Sequence, residues 1–167
     1  MRAMVKRRTA REEGHRRKFL AVIDGTPECG RAVVYGASRA ARTGGGLVLL
    51  YVIPPGDFQH WLGVEEIMRA EAIEGAEASL ATFAELARNR VGVDPECVVR
   101  EGAVKDEIVA LIDADPDIAI LVLAAATSSE GPGPLISSLA SKSGTGFPIP
   151  VTIIPGHMSD EDIIAVA

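Results

Sequence analysis

Apolar positions along the chain fall into unbroken runs separated by stretches in which they recur at intervals of three and four. Phe19-Leu20-Ala21-Val22-Ile23 runs without a break to Asp24-Gly25. A strand that is apolar on both sides needs cover on both faces, which predicts the interior of a parallel sheet flanked by helices. Residues 47–53 form a second such run, closed by Pro54-Pro55, and proline ends a strand because it cannot donate to the ladder. Residues 117–124 form another very apolar run, expected beside the first. Residues 96–101 are less apolar and charged at both ends, which predicts an edge strand. Residues 150–154 make the last strand.

Between these runs the period changes. Thr26-Pro27 reads as an N-cap followed by proline at the first helical position, where its missing N–H costs nothing. Val33, Gly36 or Ala37, Ala40 and Ala41 then mark an amphipathic helix of about sixteen residues, stopped by Gly44-Gly45-Gly46. A connection through Asp57, Phe58, Gln59, His60 and Trp61 leads to a long helix over 64–90. Its stripe is Ile73, Ala76, Leu80, Phe83 and Ala87, with Glu65, Glu66, Arg69, Glu74, Glu85 and Arg88 on the wet side. Val104, Ile108 and Leu111 or Ile112 mark a third helix, and residues 134–142 a short weak one. Strands alternating with helices in this way predict one α/β domain, a doubly wound five-stranded parallel sheet with right-handed crossovers. Beyond Pro155 the tail carries Asp160-Glu161-Asp162 and then Ile163-Ile164-Ala165-Val166-Ala167, which are either packed down or used against a partner.

Composition narrows the function classes. The 167 residues suffice for one domain with its own core, and 4% aromatic content argues against a nucleic-acid stacking surface or a sugar cleft. Cys29 and Cys97 form no CxxC and read as free thiols in a reducing compartment, in small buried roles. No apolar run is long enough to span a bilayer, and no apolar stretch with a cleavage site follows the basic start, so a cytoplasmic protein is expected. Charge divides the chain. Eight of the 17 Lys and Arg lie in residues 1–18 beside two acids, a head of +6, while residues 19–167 carry −12. The body is a poor nucleic-acid binder; only the basic segment 1–18, read as a flexible solvated tail that can lie on its own acidic domain, leaves that route open. The divisions are therefore 1–18, a domain over 19–155, and a tail over 156–167.

Asp24 sits where open α/β folds place ligands, at the carboxyl end of a central strand. His15, His60 and His157 lie far apart with no carboxylate at ligand spacing, so no metal site is expected. There is no G-x-S-x-G elbow and no serine with a positioned base, so no catalytic residue is assigned. Asp113, Asp115 and Asp117 form an acidic turn at the opposite end and read as solvated. Trp61, with Phe58 and Leu62, is read as core packing in preference to a cover over the sheet edge or a dimer groove.

Asp24-Gly25-Thr26-Pro27 after the first strand, the strand over 47–52, the long second helix, Arg100-Glu101-Gly102, and Phe147-Pro148-Ile149-Pro150 before the last strand together resemble the universal stress protein family over residues 19–155. The resemblance implies the sheet order 3-2-1-4-5 seen in adenine nucleotide alpha hydrolase-like folds. It also implies a homodimer made through the fifth strand, here Val151 and Ile153, with the tail as a further contributor. Some members bind ATP and others do not. In the binders, the loop after strand four carries Gly-x2-Gly, nine residues, then Gly-Ser or Gly-Thr, wrapping ribose and phosphates. Here the first two glycines fall on Ala125 and Ser128 and the later pair on Ser137 and Ser138. Pro132 and Pro134 remove two N–H donors, and Glu130 adds negative charge. Ser137 and Ser138 are expected to offer hydroxyls at a helix start, where free N–H groups favour anions. The nucleotide-binding set the resemblance implies is Asp24, Gly25, Val52, Ala125, Thr127, Ser128, Ser137 and Ser138, with ATP or AMP as ligand. On this reading the chain is a stress-response sensor or interaction module without efficient ATP binding, acting on an unknown protein partner. The alternatives are an ATP- or AMP-binding protein with a degenerate loop and slow ATP hydrolysis, and a small-molecule hydrolase of similar architecture.

Overall fold

The apolar runs become the strands. The computed structural model of the protein describes residues 6–56, 63–129, 131–140 and 147–167. Strands β1 (Lys18–Ile23), β2 (Gly46–Ile53), β3 (Glu96–Glu101), β4 (Ile118–Ala124) and β5 (Val151–Ile154) form one sheet in the order β3-β2-β1-β4-β5. All neighbours pair in parallel, with Phe19 beside Leu47 and Ile120. Helices α1 (Cys29–Thr43), α2 (Val64–Val91), α3 (Val104–Ala114), α4 (Pro134–Ala140) and α5 (Asp160–Val166) complete the chain. Successive side chains of a strand point to opposite faces, so each central run feeds two cores. Phe19, Ala21, Ile23, Leu47 and Leu49 pack with Val33, Ala37, Leu80 and Ile163. Leu20, Val22, Val48 and Leu50 pack with Ile108, Ile112 and Ile136. β3 lies at an edge with Glu96, Arg100 and Glu101 exposed, as its composition predicts; Cys97, expected to be buried, is exposed there too, because an edge strand is covered on fewer sides.

The entry to α1 differs from expectation. Thr26 does not cap the helix: its hydroxyl and its N–H both donate to Asp24 Oδ1, at 2.6 and 3.0 Å. The helix begins two residues past Pro27, at Cys29, with Glu28 in the cap position and no side-chain cap bond. The carboxylate has drawn Thr26 into a turn with itself, as Asp side chains do with backbone two residues on. At the other end Gly44, at φ 66°, closes the helix with its N–H on the Ala40 carbonyl.

The described residues ahead of β1 and those after β5 both contact the domain. The tail is helical: Ser159 Oγ accepts from the Asp162 N–H at 3.1 Å, and Asp160, Glu161 and Asp162 fill the first turn, where the helix dipole favours acids. Ile163 is fully buried. Arg42 of α1 donates to the carbonyls of Ile164, at 2.7 Å, and Ala167. Asp160 meets Arg31 at 3.7 Å and Arg90 at 3.5 Å. Ahead of this helix, Gly156 lies so close to the Ala125 carbonyl that a Cβ there would collide with it.

At the amino edge of the sheet, Asp115 and Asp117 are not the solvated residues expected. Thr9 Oγ1 donates to Asp117 Oδ1 at 2.5 Å, and His15 Nδ1 lies 2.8 Å from the same oxygen. Arg8 Nη1 donates to the Ile112 carbonyl at 2.5 Å and reaches those of Asp115 and Ile118. Lys18 Nζ lies 2.8 Å from Asp115 and 3.0 Å from Glu96. Burial acts to lower the Lys18 pKa, but these two carboxylates outweigh it and raise it. The basic head finds the acidic turn because each supplies what the other lacks. Phe58, His60, Trp61, Leu62, Glu130 and Lys142 lie outside the described residues. Among the described residues no helix is long and apolar enough to cross a membrane.

Candidate functional site

β1 leads to β2 on one side, whereas β4 begins the other half of the sheet, so chain direction diverges between the carboxyl ends of β1 and β4. Such a switch point leaves a crevice. Here it is a cleft of about 420 Å³. Asp24, Thr26, Glu28 and Cys29 form one wall, Ala124, Ala126 and Ser128 the other, and residues 131–137 close the end.

The loop after β4 is held by its own backbone. The Ala126 N–H donates to the Pro132 carbonyl at 2.9 Å, the Gly131 N–H to Ser128 at 3.4 Å, and the Ser137 N–H to Gly133 at 3.0 Å. Gly131 and Gly133, at φ 109° and 113°, take backbone shapes that side chains resist. They turn the loop into α4. Opposite them, the Asp24 carboxylate is oriented by Thr26, and its neighbour Gly25, at φ 75°, makes the turn out of β1. Cys29 is buried at the cleft wall. Burial, with nearby Asp24 adding to it, pushes its thiol up to about 11, so it is protonated at neutral pH.

Of the residues expected at the site, Asp24, Ser128 and Ser137 line the cleft. Gly25, Val52, Ala125, Thr127 and Ser138 are not among its described lining residues. Val52 is buried in the core on the α3 side. The Ala125 N–H extends the ladder to the Ile154 carbonyl at 2.8 Å, and its side chain joins the same core. The Thr127 methyl lies beside Gly156. Ser137 and Ser138 do not stand at a helix start. α4 begins at Pro134, and the Ser137 N–H is already bonded. Glu28, and Cys29 as cleft wall, were missed by the sequence reading. The signal was present, since both follow Asp24-Gly25 in the strand-to-helix turn that the switch-point rule places at the crevice. Among the described residues no group of His, Cys, Asp and Glu is arranged to hold a metal.

A second concavity runs along the free edge of the sheet. Leu139, Phe147, Ile149, Val151 and Ile153 line an apolar groove of about 270 Å³ beside β5, and Ile153 is 47% exposed.

The model of the universal stress protein family matches residues 15–155. Among solved structures, the universal stress protein UspA from Lactobacillus plantarum is similar at 18% identity and a TM-score of 0.65, over 83% of this chain and 97% of that one. A universal stress protein from Archaeoglobus fulgidus in complex with dAMP is similar at 16% identity and a TM-score of 0.59, over 83% and 97%. A universal stress protein family protein from Arabidopsis thaliana with AMP bound is similar at 17% identity and a TM-score of 0.56, over 87% and 94%. At these identities the likeness is one of fold. No curated protein sequence matches the chain at a significant level.

Proposed function

Because the chain belongs to the universal stress protein family, we propose that the cleft between β1 and β4 is a binding site for an adenine nucleotide. This favours the second reading of the sequence over a module that binds none. The observation that carries it is the open cleft itself: the side chain replacing the first glycine, at Ala125, packs into the core instead of crossing the crevice. Relatives of the same fold hold dAMP and AMP. A carboxylate fixed by Thr26 can accept from ribose O–H or base amino N–H groups, and Ser128 on the facing wall and Ser137 at the closed end offer hydroxyls. Titrating the protein with AMP in a calorimeter should give saturable binding in the micromolar range. Asp24→Ala should weaken it by about tenfold or more, the loss of a charge-assisted hydrogen bond. Absence of heat with AMP, ADP and ATP at millimolar concentration would remove the reading.

The exposed edge of β5 supports a second part of the reading, a homodimer formed by β5 edges. An apolar strand edge with an adjoining groove is a template for another strand, and Val151 and Ile153 would be its contacts. Two unpaired cysteines suit a reducing compartment, so the same reading places the protein in the cytoplasm, as a nucleotide-responsive module of the stress response.

A further inference from the structure

The charges around the cleft are one-sided. Asp24 and Glu28 stand on its wall, and among the described lining residues there is no lysine or arginine. Phosphates are held by cations and by free backbone N–H groups. In the loop facing Asp24, Pro132 and Pro134 have no N–H, and those of Ala126, Gly131 and Ser137 are bonded within the loop. The amino end of α1 also attracts an anion, with the equivalent of about half a positive charge. Glu28 occupies the cap position of that helix and offsets the field with a full negative charge.

Resting on the adenine-nucleotide reading, we infer that this cleft selects its ligand by charge, accepting adenosine or an adenine nucleotide with one phosphate and disfavouring the triphosphate. Each further phosphate adds negative charge to a cleft that holds two carboxylates and, among its described lining residues, no lysine or arginine. The base and ribose carry no charge, so the discrimination acts on the phosphates. Repulsion across a partly exposed cleft is worth roughly three- to tenfold in affinity per added phosphate. It should shrink with salt, because the Debye length falls from about 10 Å to about 3 Å between 0.1 and 1 M.

The test is a calorimetric series of adenosine, AMP, ADP and ATP without divalent cations, at low and high salt, on the full chain and on Glu28→Gln. Affinity is expected to fall from AMP to ADP to ATP, the series to narrow at high salt, and Glu28→Gln to raise the ATP-to-adenosine affinity ratio several-fold. ATP binding as tightly as AMP at low salt, or a ratio unmoved by both salt and Glu28→Gln, would overturn the inference while leaving the nucleotide site standing. If no member of the series binds, the nucleotide site itself fails. The salt arm needs no variant, so a poorly folding Glu28→Gln protein does not blunt the test.

Discussion

Asp117 shows how much one side chain can do at the amino edge. Its pKa is held below the usual carboxylate range, first by the Thr9 hydroxyl and further by His15, against the opposing effect of burial. A carboxylate depressed in the folded state stabilises above its unfolded pKa, near 3.9, and loses that contribution as pH falls through the lower folded value. Asp117→Asn should therefore lower Tm at pH 7 by a few degrees, the equivalent of about 1 kcal/mol. Its difference from the parent should narrow as pH falls below the unfolded value, as a pH series of thermal melts would reveal; a difference that stays constant down to the lowest pH at which the protein remains folded would discount the carboxylate. Asp24 was legible because a carboxylate ending an apolar run is conspicuous. The partners of Asp117 were not: Thr9 and His15 lie about a hundred residues away in sequence, and hydropathy carries no record of such pairs.

Elements were most legible where the sheet buries them on both faces. β1, β2 and β4 follow from unbroken apolar runs, and the sequence reading placed their limits within one residue of the structure. The long α2 was found, yet its stripe was overextended. Ile73 is 36% exposed, and no residue from 64 to 75 is buried. A helix of 28 residues spans about 42 Å, more than the eight-residue β2 it packs on, about 27 Å, so its first turns pass the sheet edge. The opposite error occurred at α5, which is too short to display a period and depends on arginines of α1 and α2. Ile163 is fully buried against that face. Ile163→Ala should cost about 2–5 kcal/mol, seen as a lower urea midpoint with an unchanged slope. A midpoint equal to the parent's would mean that α5 is an ornament and not part of the core.

At the scale of the molecule, periodicity could give the strands but not their order, since every arrangement of buried strands has the same pattern; the order came from family likeness and is the order observed. The two edges differ in character. β3 carries charges, which discourage pairing, whereas β5 shows Ile153 beside an apolar groove. Ile153→Lys should convert the proposed dimer to a monomer in sedimentation velocity at micromolar concentration, with the fold retained by circular dichroism. A parent protein that sediments as a monomer at every concentration would dispose of the interface.

The tight approach at Gly156 bears on how the two ends of the domain communicate. With no room for even a methyl group between this backbone and the Ala125 carbonyl, the last dozen residues act as a buttress behind the rim of the crevice. A side chain at position 156 would push the Ala125 carbonyl and so disturb the root of the loop that walls the crevice, a wall that the tail itself never lines.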